Sequence, residues 1–200
     1  MFYETEKNDH GLPHNPFKAI VAPRPIGWIG SLDAEGRPNL APYSFFNAVA
    51  DSPPMVLFSS TGFKDSAANI EACGDFTCSL ATLDLKEAMN MSSGAFEHGV
   101  SEFERAGLTA APSRLVKSPH VAEAKAVLEC RYLQTIRPRA LDGQEVNSWI
   151  VLGQVVGIHI ADDAIVDGRF DVTKVKTISR LGYMDYAAVE EVFQMRRPKV

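Results

Sequence analysis

The stretch Ser148-Trp149-Ile150-Val151-Leu152-Gly153-Gln154-Val155-Val156-Gly157-Ile158-His159-Ile160 decides the fold class. Val151, Leu152, Val155, Val156, Ile158 and Ile160 give it the aliphatic, β-branched density of a long strand. Gly153 and Gly157 break it, and glycine inside a strand marks a bulge or a sharp bend of the kind a barrel needs. The apolar run is too short to cross a bilayer, which takes about 20 residues, and Gln154 and His159 interrupt it. Upstream, Ala126 to Ile136 reads as a second long strand that ends before Pro138.

The first quarter of the chain carries Pro13, Pro16, Pro23, Pro25, Pro38, Pro42, Pro53 and Pro54. Proline lacks an amide donor, so this region reads as short strands and turns. Ile26 to Leu32 is one strand, Asp33-Ala34-Glu35-Gly36 a turn, Pro38 to Asn47 a second strand and Met55 to Ser59 a third. Then the period changes. Lys64 to Cys73 is a helix with Asp65 or Ser66 as N-cap and Gly74 as its stop. Phe76 to Ala81 is a strand. Asp84 to Glu87 and Ser101 to Glu104 have capping-box spacing, which gives Glu87 and Glu104 a structural task. The first opens a helix to about Met91, the second a short one ending at Gly107. Tyr186 to Met195 reads as a terminal helix, with Val189, Val192 and Phe193 near one face. Strands come in consecutive runs rather than alternating with helices. The pattern is that of a small, mainly β, mostly antiparallel barrel of about six strands with appended helices.

Length supports one domain, since 200 residues compares with roughly 150 for a typical domain. Residues 1–200 read as one unit, with an N-terminal extension over 1–17 and a C-terminal helix and tail over 185–200. Lys plus Arg number 20 against 25 Asp plus Glu, a net charge of -5. A nucleic-acid binder would need a basic excess, so none is expected; nor is a membrane partner. Met1 to Gly11 is polar, without a basic and apolar leader, so no signal peptide is expected. Cys73, Cys78 and Cys130 cannot all pair with one another, which suits a reducing cytoplasm. His10 and His14 are four apart, but Pro13 opposes a shared helical face, so no metal site is expected. No G-x-S-x-G, H-E-x-x-H or strand-borne G-x-G-x-x-G is present, and no catalytic residue is assigned.

Ser59-Ser60-Thr61-Gly62-Phe63-Lys64-Asp65-Ser66 is the most informative polar segment. It lies between a strand and a helix. Hydroxyls, a glycine and a lysine at a helix N-terminus suit a phosphate, which free amides and a cation would hold. The spacing is not that of a Walker A loop, and an ordinary capped polar loop reads the same way. Ala41-Pro42-Tyr43-Ser44-Phe45-Phe46-Asn47 could offer backbone groups to the edge of a flat heterocycle, or pack Phe45 and Phe46 into the core. Trp28 read alone is a core residue. Arg24 stands between Pro23 and Pro25 on a stiff turn.

These segments together resemble a known family. Ala22-Pro23-Arg24-Pro25-Ile26-Gly27-Trp28-Ile29, Asn39 to Asn47, Pro53-Pro54-Met55-Val56, Lys64-Asp65-Ser66, Ser101 to Leu108 and Ser179-Arg180-Leu181-Gly182-Tyr183 follow, in order, the flavin reductase-like, FMN-binding split-barrel family. The likeness is greatest to its branch of flavoredoxin-like proteins and flavin reductase components of two-component monooxygenases. The resemblance implies a six-stranded Greek-key barrel and a homodimer with FMN near its interface. By position, Pro42, Tyr43, Ser44, Phe45 and Asn47 would face the flavin ring, with Arg24, Trp28 and Ser31 beside it. Lys64, Asp65 and Ser66 would hold the phosphate, with Ser59 and Ser60 close by. Arg180 and Tyr183 would reach the site from the other subunit.

One position departs from the family pattern. Many reductases of this fold carry a Gly-Asp-His step before the long strand, with the histidine associated with nicotinamide use. Here Gly143-Gln144-Glu145-Val146-Asn147 puts Asn147 there, and an asparagine can hydrogen-bond but cannot carry a proton at neutral pH. The resemblance implies an FMN-dependent oxidoreductase fed by NADH or NADPH, with FAD or riboflavin as possible flavin substrates. Its partner would be an oxygenase component or another redox protein. The alternatives are a flavoredoxin-like FMN electron carrier served by a protein donor, and a flavin-binding protein without turnover.

Overall fold

In a computed structural model that describes residues 1–199, the chain opens with a one-turn helix α1 (Phe17–Ile20). Five strands follow: β1 (Arg24–Pro25), β2 (Gly27–Leu32), β3 (Pro38–Tyr43), β4 (Phe46–Asp51) and β5 (Pro54–Thr61). Helix α2 (Asp65–Cys73) leads to β6 (Asp75–Leu80), then α3 (Lys86–Met91) and α4 (Glu102–Arg105). A small hairpin of β7 (Ala110–Ala111) and β8 (His120–Val121) precedes the two long strands β9 (Ala126–Ile136) and β10 (Ser148–Ile160). The chain closes with β11 (Ile165–Val166), β12 (Arg169–Phe170), α5 (Val172–Val175), β13 (Ile178–Arg180) and β14 (Tyr186–Ala188).

The main sheet runs β3-β2-β6-β9-β10-β5-β4, and every pairing in it is antiparallel. It curls around one interior, where Ile29, Tyr43, Phe58, Ile70, Phe76 and Val151 meet. These come from β2, β3, β5, α2, β6 and β10, so the sheet wraps its own core while its end strands β3 and β4 stay unpaired with each other. That is a split barrel. A second apolar cluster, with Trp28, Leu40, Met89, Phe103, Val121 and Ile178, fills the space between β2–β3 and the helices outside them.

The bulges fall at the two glycines. The β9–β10 register shifts between Leu152 and Gly153 and again between Val155 and Gly157. A side chain at Gly153 would meet the Phe76 ring at 2.4 Å, so the strand bends where the core ring needs room.

Three expectations need correction. The main sheet has seven strands rather than six, because Pro38 to Asn47 is not one strand. It stops at Tyr43, opposite Gly27, and Phe46–Asp51 pairs instead with β5. Ser44 and Phe45 form the corner, where the Phe45 carbonyl accepts the Ser59 N–H at 2.8 Å. The terminal helix is absent. Tyr186–Ala188 pairs with β13 and the Val189 N–H donates to the Thr177 carbonyl at 2.9 Å, so the first turn of the expected helix is extended strand instead, and residues 189–199 form neither helix nor strand. Val200, the last residue of that expected tail, lies outside the described residues. The capping box at Asp84 is also absent: Leu83–Leu85 is a 3-10 turn with no side-chain cap. Ser101 does cap α4, accepting the Glu104 N–H at 3.4 Å. Among the described residues no helix is long and apolar enough to cross a membrane.

Candidate functional site

The loop from β5 to α2 is built from the backbone outward. Gly62 turns the chain at φ +84, and its N–H donates to the Asn147 carbonyl at 3.3 Å, which ties the loop to the start of β10. Ser60 is fully buried and its Oγ donates to the Gly62 carbonyl at 2.8 Å. It shapes the turn from beneath. Lys64 takes the N-cap position with extended backbone, and no side chain caps the helix. The expected N-cap, Asp65 or Ser66, is thus the first turn itself. A helix start leaves its first N–H groups without intrahelical partners, and here no side chain satisfies them. Lys64 is exposed and takes part in none of the ion pairs among the described residues.

A polar layer lies under this helix start. Asn39 Nδ2 donates to Ser66 Oγ at 2.9 Å and to Ser31 Oγ at 3.3 Å, and Asn69 Nδ2 donates to Ser31 Oγ at 3.4 Å. Ser66 accepts from Asn39, which leaves its hydroxyl proton to donate toward Tyr43 or into the cleft. Ser31 is fully buried and supports this layer from behind. Tyr43 is buried beside Ser60 and Ser66. Burial pushes its phenol up, against the Ser66 and Ser60 hydroxyls, which pull it down.

Two clefts flank the β3–β4 corner. The first, about 330 Å³, lies between Pro42, Tyr43, Lys64 and Ser66 on one wall and the Ser92 to Phe96 segment on the other. Asp65 and Glu102 also line it. Burial pushes the Glu102 carboxyl up, while the Leu40 N–H donating at 3.1 Å opposes this. The second cleft, about 460 Å³, is lined by Arg24, Ser44, Phe45, Asn47 and Ser59. Tyr43 and Ser44, neighbours in the chain, line different clefts, so the corner leads from one to the other.

Not every expected residue comes to these clefts. Trp28 is fully buried in the outer cluster, where its Nε1 donates to Ser92 Oγ at 2.8 Å. It lines neither cleft; it fixes Ser92, which lines the first. Arg24 lines the second cleft but is 6% exposed, and its Nη atoms donate to the carbonyls of Lys18, Val21 and Leu181. Burial first, and the nearby Arg180 charge second, push its guanidinium down from the usual value. Arg180 and Tyr183, expected at the other subunit's site, lie apart from both clefts of their own chain. The Arg180 guanidinium stacks 4.5 Å from the Tyr186 ring and donates to the Tyr186 hydroxyl and the Tyr183 carbonyl. Tyr183 is exposed, with φ +55 and its ring 5.6 Å from His14. Asn47 is exposed and accepts the Ala48 N–H at 2.9 Å. Asn147 is exposed beside Gly62.

Sequence reading missed Asn39 as a bridge and the whole Ser92 to Gly99 segment. The signal for the latter was a serine pair between an apolar helix and two glycines, Gly94 and Gly99.

Comparison with known proteins agrees with this architecture. The model of the family "Flavin reductase like domain" matches residues 21–175. An uncharacterized protein of Deinococcus radiodurans is 37% identical, the match covering 89% of this chain and 87% of the relative. The crystal structure of nitrilotriacetate monooxygenase component B from Bacillus cereus superposes with a TM-score of 0.84 at 31% identity, over 96% of this chain and 95% of that one. The 2-nitrobenzoate 2-nitroreductase NbaA of Pseudomonas fluorescens shares the fold, with a TM-score of 0.85 at 24% identity over 99% of this chain and 96% of that one. With a family model covering most of the barrel and a split sheet to match, the chain belongs to the flavin reductase-like domain family.

Proposed function

We propose that the chain is an FMN-dependent oxidoreductase that takes a hydride from NADH or NADPH and serves an oxygenase component. The observation that carries this reading is the uncapped start of α2 opening, with Lys64 and Ser66, on the first cleft. Lys64 would neutralise the phosphate. The free first-turn amides and the Ser66 hydroxyl would donate to it. Asn39 and Ser31 hold Ser66 in place. Pro42, Tyr43 and Ser44 would carry the flavin ring along the corner toward the second cleft, where Phe45, Asn47 and Ser59 stand. FMN, when bound, supplies the ring that accepts the hydride and passes electrons on. The protein contributes binding, orientation and a water-poor wall, so no single acid or base side chain carries turnover.

The oxygenase partner rests on likeness to a monooxygenase component B. A second reading, an FMN electron carrier fed by a protein donor, is favoured by Asn147, which cannot relay a proton where family reductases have a histidine.

The test is an absorbance spectrum of the purified protein with FMN, followed by anaerobic NADH and then NADPH. Rapid bleaching with either supports the reductase and names its donor. Flavin that stays oxidised with both but bleaches with dithionite supports the carrier. Protein that takes up no FMN overturns both readings.

A further inference from the structure

Ser93 to Phe96 form the outer wall of the first cleft, and the segment that carries them runs on through His98 to Gly99, with glycines at 94 and 99. At Gly94 a Cβ would meet the edge of the Phe96 ring at 2.9 Å, so that ring would have to shift. Gly99 adopts φ +88, a conformation that favours glycine, and lies against the Arg37 guanidinium. Between them, His98 reaches across to two fixed elements. Its Nδ1 lies 3.3 Å from Asp65 Oδ2 at the start of α2, and its Nε2 lies 3.0 Å from Arg37 Nη2 on the β2–β3 hairpin. With the proton on Nδ1, the ring donates to Asp65 and accepts from Arg37, so one neutral tautomer satisfies both partners. Arg37 is itself held by Asp33, with Nε to Oδ2 at 2.5 Å, and by Glu35, with Nη2 to Oε2 at 2.9 Å. The anchor on that side is therefore rigid, while the contacts of His98 are exposed.

These contacts close the segment over the cleft at its phosphate end. We propose that residues 93–99 are a cofactor lid and that His98 is its latch, a positioning residue that sets how fast bound FMN leaves. This rests on the flavin reading above. A latch made of exposed contacts is weak and opens readily, which suits a flavin that must be released as well as held.

Two measurements test it, and they fail separately. Amide hydrogen exchange on the flavin-free protein reads the latch alone. His98→Ala should speed exchange across residues 93–99 and leave the barrel strands unchanged. Stopped-flow dissociation of FMN reads the lid. His98→Ala should release FMN about three- to ten-fold faster, the effect expected of losing two exposed polar contacts, and also bind it faster. His98→Gln, which can still donate and accept, should recover part of the wild-type rate. Exchange over 93–99 that does not change in His98→Ala overturns the latch. FMN rates equal to wild type in a variant with faster exchange overturn the lid. Wild-type protein that takes up no FMN overturns the flavin reading and with it the lid, while the exchange result still stands for the latch.

Discussion

The Glu129 carboxylate, fully buried on β9, faces His159 Nε2 on β10 across the bulge at Gly157. The same carboxylate accepts the Arg114 N–H at 2.8 Å and the Leu115 N–H at 2.6 Å. On β6, Asp75 accepts the Lys117 and Ser118 N–H groups, both at 3.1 Å. Two carboxylates on neighbouring strands thus grip one strap, residues 114–118, against the outside of the barrel.

Glu129→Ala should lower unfolding free energy by about 2–4 kcal/mol, because two amides and an imidazole lose their acceptor in a dry site. Burial alone would raise the Glu129 carboxyl, but the Arg114 amide, His159 and the Leu115 amide together hold it below its usual value. A carboxyl depressed on folding stabilises the fold above its unfolded pKa, and that contribution is lost as pH falls through the folded value. Denaturant melts of wild type and Glu129→Gln from pH 7 downward should therefore converge in acid. A constant gap would remove Glu129 from the acid response.

His120 stacks on His159 with ring centroids 4.9 Å apart. Burial first, and then the His159 charge, push it down, although Glu129 pulls the other way. For a histidine depressed on folding, the unfolded chain binds the proton first. Stability then falls as pH drops through the unfolded value, about 6.5, and levels off below the folded one. His120→Asn should flatten the melting-temperature profile between about pH 7 and 5. An unchanged slope would remove His120 from the acid response.

How much of this was legible follows from where hydrophobic pattern and hydrogen bonding agree. β9 and β10 were readable to the residue, because their apolar density and their glycines state both length and bend. β4 was not, since five of its six residues are exposed and no alternation marks it. Val189, Val192 and Phe193 have helical spacing, but the ladder on β13 overrides it. The phosphate-like loop was visible as chemistry. Its support by Asn39 and Ser31, and the wall made by Ser92 to Phe96, depend on contacts between residues far apart in the chain, which local pattern does not encode. Trp28 shows the reverse case: the residue alone reads as core, and core is where it lies.

Lys64→Ala should weaken FMN binding about ten-fold, the loss of roughly one charge-assisted contact to phosphate. Its side chain is exposed and supports no packing, so the melting temperature of the flavin-free protein should stay within about 1 °C, as surface substitutions usually do. Fluorescence titration of FMN against both proteins reads the first effect and a thermal melt the second. Equal affinities would move the phosphate away from the α2 start.

Arg24 separates two explanations of one motif. Its place in the family pattern associates it with flavin, yet its Nη atoms are spent on three backbone carbonyls. Lys18 and Val21 belong to the segment before β1, and Leu181 follows β13, so the guanidinium ties the N-terminal segment to the C-terminal one beside the small β1–β13–β14 sheet. β1 pairs with β13 at the same point, Arg24 opposite Arg180. Lysine has one ammonium and cannot reach three carbonyls from a planar fork. Arg24→Lys should therefore destabilise the fold by about 1–3 kcal/mol, and Arg24→Ala by more, each leaving a buried carbonyl without a donor. FMN affinity, measured well below the melting temperature, should change less than it does in Lys64→Ala. The opposite ranking, with stability unchanged and affinity lost, would make Arg24 a cofactor contact through its unpartnered Nε, which faces no acceptor in the protein.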